Sequence, residues 1–127
     1  MKKLTLKQIK NKIKKTKFEK FDLIIAIGRG GVEPGRLVSA HLKIPLKIIN
    51  IRYRGKDNNP LYKKPIIKNK LRINNKKILV VDDVSRTGAT LKKAKQILKN
   101  NKAKTFVING KADYSLYSFK ECIKWPW

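Results

Sequence analysis

Short apolar runs rich in β-branched residues recur along the chain: Leu23-Ile24-Ile25-Ala26-Ile27, Leu46-Lys47-Ile48-Ile49-Asn50-Ile51, Ile78-Leu79-Val80-Val81 and Thr105-Phe106-Val107-Ile108. Ile78 to Val81 suits a strand buried on both faces of a parallel sheet, the run ending at Ile27 reads as a first buried strand, Leu46 to Ile51 as a second strand and Thr105 to Ile108 as another core strand. Between them the apolar positions change to helical spacing. Leu37, Val38, Ala40 and Leu42 predict a helix to about residue 42, with Pro34 well placed in its first turn. Leu91, Ala94, Ile97 and Leu98 predict another to about residue 100. Ahead of the first strand, Leu6, Ile9 and Ile13 form one stripe, and Thr5-Leu6-Lys7-Gln8 has the form of a capping box, so residues 5–15 read as an amphipathic helix with a solvated lysine face.

The residues between the second and third strands, 52–65, are polar, basic and turn-rich. A loop this long inside a compact domain is usually a lid or a disordered insert, with Lys56, Lys63 or Lys64 as the candidate anion contacts of a lid. The chain of 127 residues suits one domain, a single sheet covered by helices. It contains no run of about 18 apolar residues, so no membrane span is expected. The lysine-rich N-terminus lacks an apolar core of the signal-peptide kind. The one cysteine, Cys122, fits a reducing cytoplasm.

Lys+Arg number 33 against 8 Asp+Glu, a formal charge of +25. Such a charge attracts polyanions: nucleic acid, or a substrate with several phosphates. Compositional drift is the preferred reading over a dedicated nucleic-acid surface. Lysine far outnumbers arginine, asparagine and isoleucine are abundant, and no basic stripe interleaved with aromatics is visible. His41, the only histidine, falls near a helix end, where a cap or surface role is expected.

Candidate chemistry concentrates at Lys77-Ile78-Leu79-Val80-Val81-Asp82-Asp83-Val84-Ser85-Arg86-Thr87-Gly88-Ala89-Thr90-Leu91. Two carboxylates are expected where a buried strand ends, followed by a hydroxyl- and glycine-rich turn into a helix. In open α/β sheets ligands bind beyond the carboxyl ends of strands. A helix N-terminus there offers free N–H groups and a positive dipole end to a phosphate. Gly88 permits close approach, and Ser85, Thr87 and Thr90 add hydroxyls. Acids beside a phosphate pocket are reconciled by a sugar diol, with Mg²⁺ bridging to phosphate. No Gly-x-x-x-x-Gly-Lys-Ser/Thr loop occurs. Gly28-Arg29-Gly30-Gly31, after the first strand, makes a second tight turn with a fixed positive charge.

The segment from Val80 to Leu91 resembles the phosphoribosyl-pyrophosphate (PRPP) signature of the type I phosphoribosyltransferases. Gly28-Arg29-Gly30-Gly31 resembles the pyrophosphate loop of the same family. Ser118-Phe119-Lys120-Glu121-Cys122-Ile123-Lys124-Trp125-Pro126-Trp127 is similar to the base-binding tail of the xanthine-guanine and archaeal hypoxanthine-guanine branch. The resemblance runs from about residue 21 to the C-terminus. It implies a single α/β domain, a twisted, mainly parallel sheet flanked by helices, with an N-terminal helix in residues 1–20, a flap in residues 52–65 and a base-binding tail in residues 110–127.

The implied activity is Mg²⁺-dependent transfer of ribose 5-phosphate from PRPP to a nucleobase, most readily a 6-oxopurine, with release of pyrophosphate. In that scheme Asp82 and Asp83 are the catalytic acids holding the ribose hydroxyls, and Asp83 also meets the metal. Ser85, Arg86, Thr87, Gly88, Ala89 and Thr90 cradle the 5′-phosphate. Arg29 and Gly30 hold pyrophosphate, with an unusual peptide geometry before Arg29. Lys111, Cys122 and Ile123 meet the base. A homodimer is the implied assembly.

Two residues depart from the family pattern. Arg86 stands where the 6-oxopurine branch usually has an aspartate proposed as general acid/base, and arginine cannot accept a proton at neutral pH. Cys122 stands where an aromatic residue usually stacks on the purine. The alternative reading is a PRPP- or nucleotide-responsive regulatory protein with reduced catalysis, touching nucleic acid through its basic surface. Retention of Arg29, Asp82 and Asp83 favours the enzyme.

Overall fold

The computed structural model describes residues 1–52, 66–67 and 73–127. The expected flap, with Lys56, Lys63 and Lys64, lies outside the described residues except for its first, Arg52.

Strand β1 (Lys2–Lys3) leads into helix α1 (Leu6–Lys15). Both halves of the capping box form: the Thr5 hydroxyl accepts from the Gln8 N–H, and the Gln8 side chain accepts from the Thr5 N–H. Ile9 and Ile13 are buried, but Leu6 is exposed and Leu4 takes its expected place in the core. The correction has a simple cause: Leu4 precedes the helix and is held down where its N–H donates to the Lys124 carbonyl.

Then follow β2 (Leu23–Gly28), α2 (Val32–Leu42), β3 (Leu46–Arg52), β4 (Ile66–Ile67), β5 (Lys77–Ser85), α3 (Ala89–Ile97), β6 (Lys102–Gly110), β7 (Tyr114–Tyr117) and β8 (Ile123–Lys124). Six strands make one sheet in the order β4-β3-β2-β5-β6-β7, parallel except for the β3–β4 pair. The remaining pair, β1 with β8, ties the N-terminus to the tail. Alternation along the strands sorts the core into two faces. Ile24, Leu79, Val81, Phe106 and Ile108 pack with Ile9, Ile13 and Val38 of α1 and α2. Leu23, Ile25, Ile27, Ile78, Val80 and Val107 pack with Leu91, Ala94 and Leu98 of the α3 segment. The central strands are therefore buried on both sides, which is why they read as continuous apolar runs.

Two bounds differ from expectation. β5 does not end before the acids; it continues through Asp82 and Asp83 to Ser85, because β6 is also longer and pairs Val84 with Asn109 and Ser85 with Gly110. α3 stops at Ile97 rather than near residue 100, where the Leu98 N–H closes on the Ala94 carbonyl. No helix among the described residues is long and apolar enough to cross a membrane.

Candidate functional site

β2 and β5 lie side by side, but the chain leaves them for opposite faces, through α2 after β2 and α3 after β5. A reversal of this kind opens a crevice at the carboxyl ends of the two strands. Both singled-out turns sit there. Arg86-Thr87-Gly88 carries β5 into α3, with Gly88 at φ 80° as the cap residue, a left-handed conformation natural to glycine. No side chain caps that helix, and the Thr87 hydroxyl accepts from the Ala89 N–H at 3.3 Å. Asp82 and residues 84–91 wall a hollow of about 250 Å³ over this helix start.

Asp82 Oδ1 accepts from the Asp83 N–H at 2.8 Å, and Asp83 Oδ1 accepts from the Val84 N–H at 2.7 Å. The ion pairs of the described residues involve neither carboxylate. Burial, then the hydrogen bond and charge of Asp83, push the Asp82 carboxyl up to about 8. On the neighbouring turn, a Cβ on Gly30 would stand 2.6 Å from Asp83 Oδ1, so only glycine leaves that carboxylate its place. The Gly28–Arg29 peptide bond is cis, and Arg29 is exposed beside it.

The donors present fit Mg²⁺. They are adjacent hard carboxylate oxygens, and the described residues contain no third His, Cys, Asp or Glu grouped with them. Mg²⁺ usually keeps several waters and takes one or two carboxylates plus substrate phosphates, so a richer cage is not required.

A second hollow, of about 400 Å³, lies between the ends of β5 and β6 and the tail, walled by residues 84–86, 109–111 and 118–123. Lys111 stands on its wall, where its N–H donates to the Ser85 carbonyl at 3.3 Å. Ile123 is half-buried against the core, and exposed Cys122 accepts from Arg86 Nη2 at 3.6 Å. Ser85 is 7% exposed, and its Oγ has no hydrogen-bond partner among the described residues.

The predicted residues thus gather in two adjoining places. Asp82, Ser85, Arg86, Thr87, Gly88, Ala89 and Thr90 surround the helix start, with Gly30 and Arg29 on the turn beside Asp83. Lys111, Cys122 and Ile123 line the hollow next door, with Ser85 and Arg86 on both walls. His41 stands apart, its ring 6.2 Å from that of Phe18. Trp125 packs on the core and stacks against Trp127 at 5.6 Å. Sequence reasoning missed Asn109. It is buried, its Nδ2 donates to the Phe119 carbonyl at 3.0 Å, and its Oδ1 accepts from the Phe119 N–H at 2.7 Å, which seats the tail over the hollow. A buried-strand register ending in a polar amide before glycine was the available signal. A hollow of about 960 Å³ opens at the opposite sheet edge among lysines and asparagines, away from the adjacent acids.

Comparison with known proteins places this geometry. The family model of the phosphoribosyl transferase domain matches residues 3–114. An orotate phosphoribosyltransferase of Saccharolobus solfataricus is 34% identical over 82 residues, covering 65% of this chain and 38% of that protein. A second, from Sulfurisphaera tokodaii, is 32% identical over 88 residues, covering 69% of this chain and 42% of that protein. The chain thus spans about two fifths of the length of these curated relatives. Among solved structures, a purine phosphoribosyltransferase from Pyrococcus horikoshii superposes with a TM-score of 0.83 at 28% identity, covering 99% of this chain and 92% of that one. With two adjacent acids, a bare helix start and a glycine turn meeting at the sheet's reversal point, and with the family match spanning most of its length, the chain belongs to the phosphoribosyl transferase domain family.

Proposed function

We propose that the protein transfers ribose 5-phosphate from PRPP to a ring nitrogen of a nucleobase, a 6-oxopurine, and releases pyrophosphate. The observation that carries this reading is the placement of the Asp82 and Asp83 carboxylates, outside the ion pairs of the described residues, between the residue 84–91 hollow and the Gly30 turn. The amides of residues 85–90 and the hydroxyls of Thr87 and Thr90 hold the 5′-phosphate at the start of α3. Asp82 and Asp83 accept hydrogen bonds from the ribose hydroxyls and fix the sugar in the crevice. Arg29 and the backbone of Gly30 receive the pyrophosphate as it leaves. The base attacks ribose C1 from the face opposite the leaving group, so configuration inverts. With weak bonding to both partners in an oxocarbenium-like transition state, orientation and charge placement supply most of the acceleration. Bound Mg²⁺, held through Asp83, would neutralise charge on the diphosphate.

A purine as the base is supported by the Pyrococcus horikoshii structure, whose likeness extends over 99% of this chain, tail included. A second reading, orotate, is favoured by the two orotate phosphoribosyltransferases among the sequence relatives and by Arg86, which supplies positive charge in place of a proton-accepting acid. The test is a pyrophosphate-release assay with PRPP, Mg²⁺ and a panel of purine and pyrimidine bases. Release that requires PRPP, Mg²⁺ and a 6-oxopurine is expected. Release with orotate alone selects the second reading, and none with any base ends both.

A further inference from the structure

The hollow under the tail contains groups that its own surroundings leave incomplete. Ser85 is 7% exposed, yet its hydroxyl has no partner among the described residues. Buried polar groups are nearly always hydrogen-bonded, so an orphan on a cavity wall marks where a partner belongs. Next to it, the Arg86 guanidinium, a planar fork of five donors, reaches the Cys122 thiol at 3.6 Å. Sulfur is a weak acceptor, and the ion pairs of the described residues give Arg86 no carboxylate.

The rest of the wall points the same way. Lys111 and Lys120 add two positive charges. Glu121 is the one acid, and it is exposed, 3.9 Å from the Met1 amino group. The Asn109 amide, which would otherwise serve both donors and acceptors, is committed to Phe119 at both ends. What remains on the wall is the hydroxyls of Ser85 and Ser118, a guanidinium fork and two ammonium groups. The guanidinium and ammonium groups only donate, so they match oxygen acceptors carrying negative charge and offer nothing to an exocyclic amine.

We infer that the base accepted here presents an anionic, oxygen-rich edge, read by Ser85 and Arg86, with Cys122 as the weak rest from which the guanidinium moves to the ligand. This inference rests on the phosphoribosyltransferase reading and narrows it to a class of base. Two sources share the chemistry: a dioxopyrimidine bearing a ring carboxylate, and a dioxopurine whose imide has lost its proton. Arg86, absent as a base from the purine scheme, thereby gains a role in recognition.

The experiment is calorimetric titration at pH 8 with the 5′-monophosphates of orotidine, xanthosine, inosine and adenosine, alongside kcat/KM for the four free bases with PRPP and Mg²⁺. One or both charged nucleotides should bind about 10- to 100-fold more tightly than the inosine and adenosine nucleotides. Orotidylate alone identifies the carboxylate, and xanthylate alone the imide. Arg86→Gln should abolish the preference, and Arg86→Lys should restore part of it. Ser85→Ala should raise KM for the preferred base more than KM for PRPP; the reverse order assigns the hydroxyl to phosphate and overturns its part here. Equal affinity for all four nucleotides, or a preference for inosinate or adenylate, overturns the inference. The preference without pyrophosphate release from any base ends the enzyme reading but upholds the recognition. Fastest turnover of hypoxanthine or adenine upholds the enzyme and ends the inference.

Discussion

The two edges of the sheet treat their carboxylates in opposite ways. At the amino edge, Glu19 Oε1 accepts from Lys104 Nζ and from the Tyr114 hydroxyl, and Oε2 accepts from Lys77 Nζ, each at 2.7 Å. Lys104, then Lys77 and Tyr114, hold that carboxyl down to about 2. At the carboxyl edge, Asp82 and Asp83 accept, among the described residues, from the N–H groups of the residues that follow them, and Asp82 is pushed up to about 8 by burial and by its neighbour. The chain has abundant lysines, with 33 basic residues in all, yet among the described residues none forms an ion pair with these aspartates. The amino edge is completed by the protein itself. The carboxyl edge, where two acids lie outside the ion pairs of the described residues and the Ser85 hydroxyl has no partner among them, is the edge that the proposed function leaves for a ligand to complete.

Substitutions on the carboxyl edge should therefore reduce turnover while sparing the fold. The largest effect belongs to Asp82→Asn with Asp83→Asn. Pyrophosphate release should fall by at least about 10³-fold, while circular dichroism and the unfolding midpoint stay at or above those of the wild type. Unchanged turnover in the double variant would dispose of the proposed mechanism. Gly30→Ala comes next. The new methyl would meet the Asp83 carboxyl at 2.6 to 2.7 Å, and the side chain must swing away. A displacement of that size costs on the order of 10²-fold in rate. If kcat/KM stays within a few-fold, the approach of the two turns has no bearing on the chemistry.

The contrast also explains what could be read in advance. Strands β2, β5 and β6 were legible because burial on both faces selects unbroken apolar runs, as in Ile78-Leu79-Val80-Val81; β3, with Lys47, Ile48 and Asn50 exposed and Ile49 buried, was legible from its β-branched residues. The acids and the turns were legible because their partners lie within a few residues, in Asp82-Asp83 and Gly28-Arg29-Gly30. What depends on distant pairing was not. The extension of β5 to Ser85 exists because β6 supplies Asn109 and Gly110 opposite it. β1 is two lysines, a strand only because the tail returns beside it to pair Lys2 with Ile123. The approach of Arg86 to Cys122 spans 36 residues, and the orphan state of the Ser85 hydroxyl is a property of its surroundings. Both departures from the family pattern were visible in the sequence; that they touch each other was not.

A third prediction uses pH to separate the edges. Asp82 keeps its proton in the folded ligand-free protein up to about 8, whereas its ordinary value is 3.8. Between these values the folded state binds more protons than the unfolded chain, so its stability falls as pH rises. Asp82→Asn removes that dependence. Its gain in denaturation midpoint over the wild type should be absent below pH 3.8 and grow toward pH 8. A gap that does not change with pH would mean that Asp82 titrates normally in the fold.

The smallest effect, and one of opposite sign, belongs to Glu19→Gln. Here the folded-state value lies below the ordinary one, about 2 against 4.5. The carboxylate therefore contributes stability that is full above 4.5 and is lost as pH falls toward 2. The variant should unfold more readily than the wild type at neutral pH and converge with it in acid. Because the salt bridges are partly open to solvent, added salt should also narrow the difference. Pyrophosphate release at 25 °C should be unaffected, since Glu19 lies at the far edge from Asp82. Loss of activity in a stable Glu19→Gln protein would mean that the two edges are coupled and that their separation into a finished and an unfinished half is mistaken.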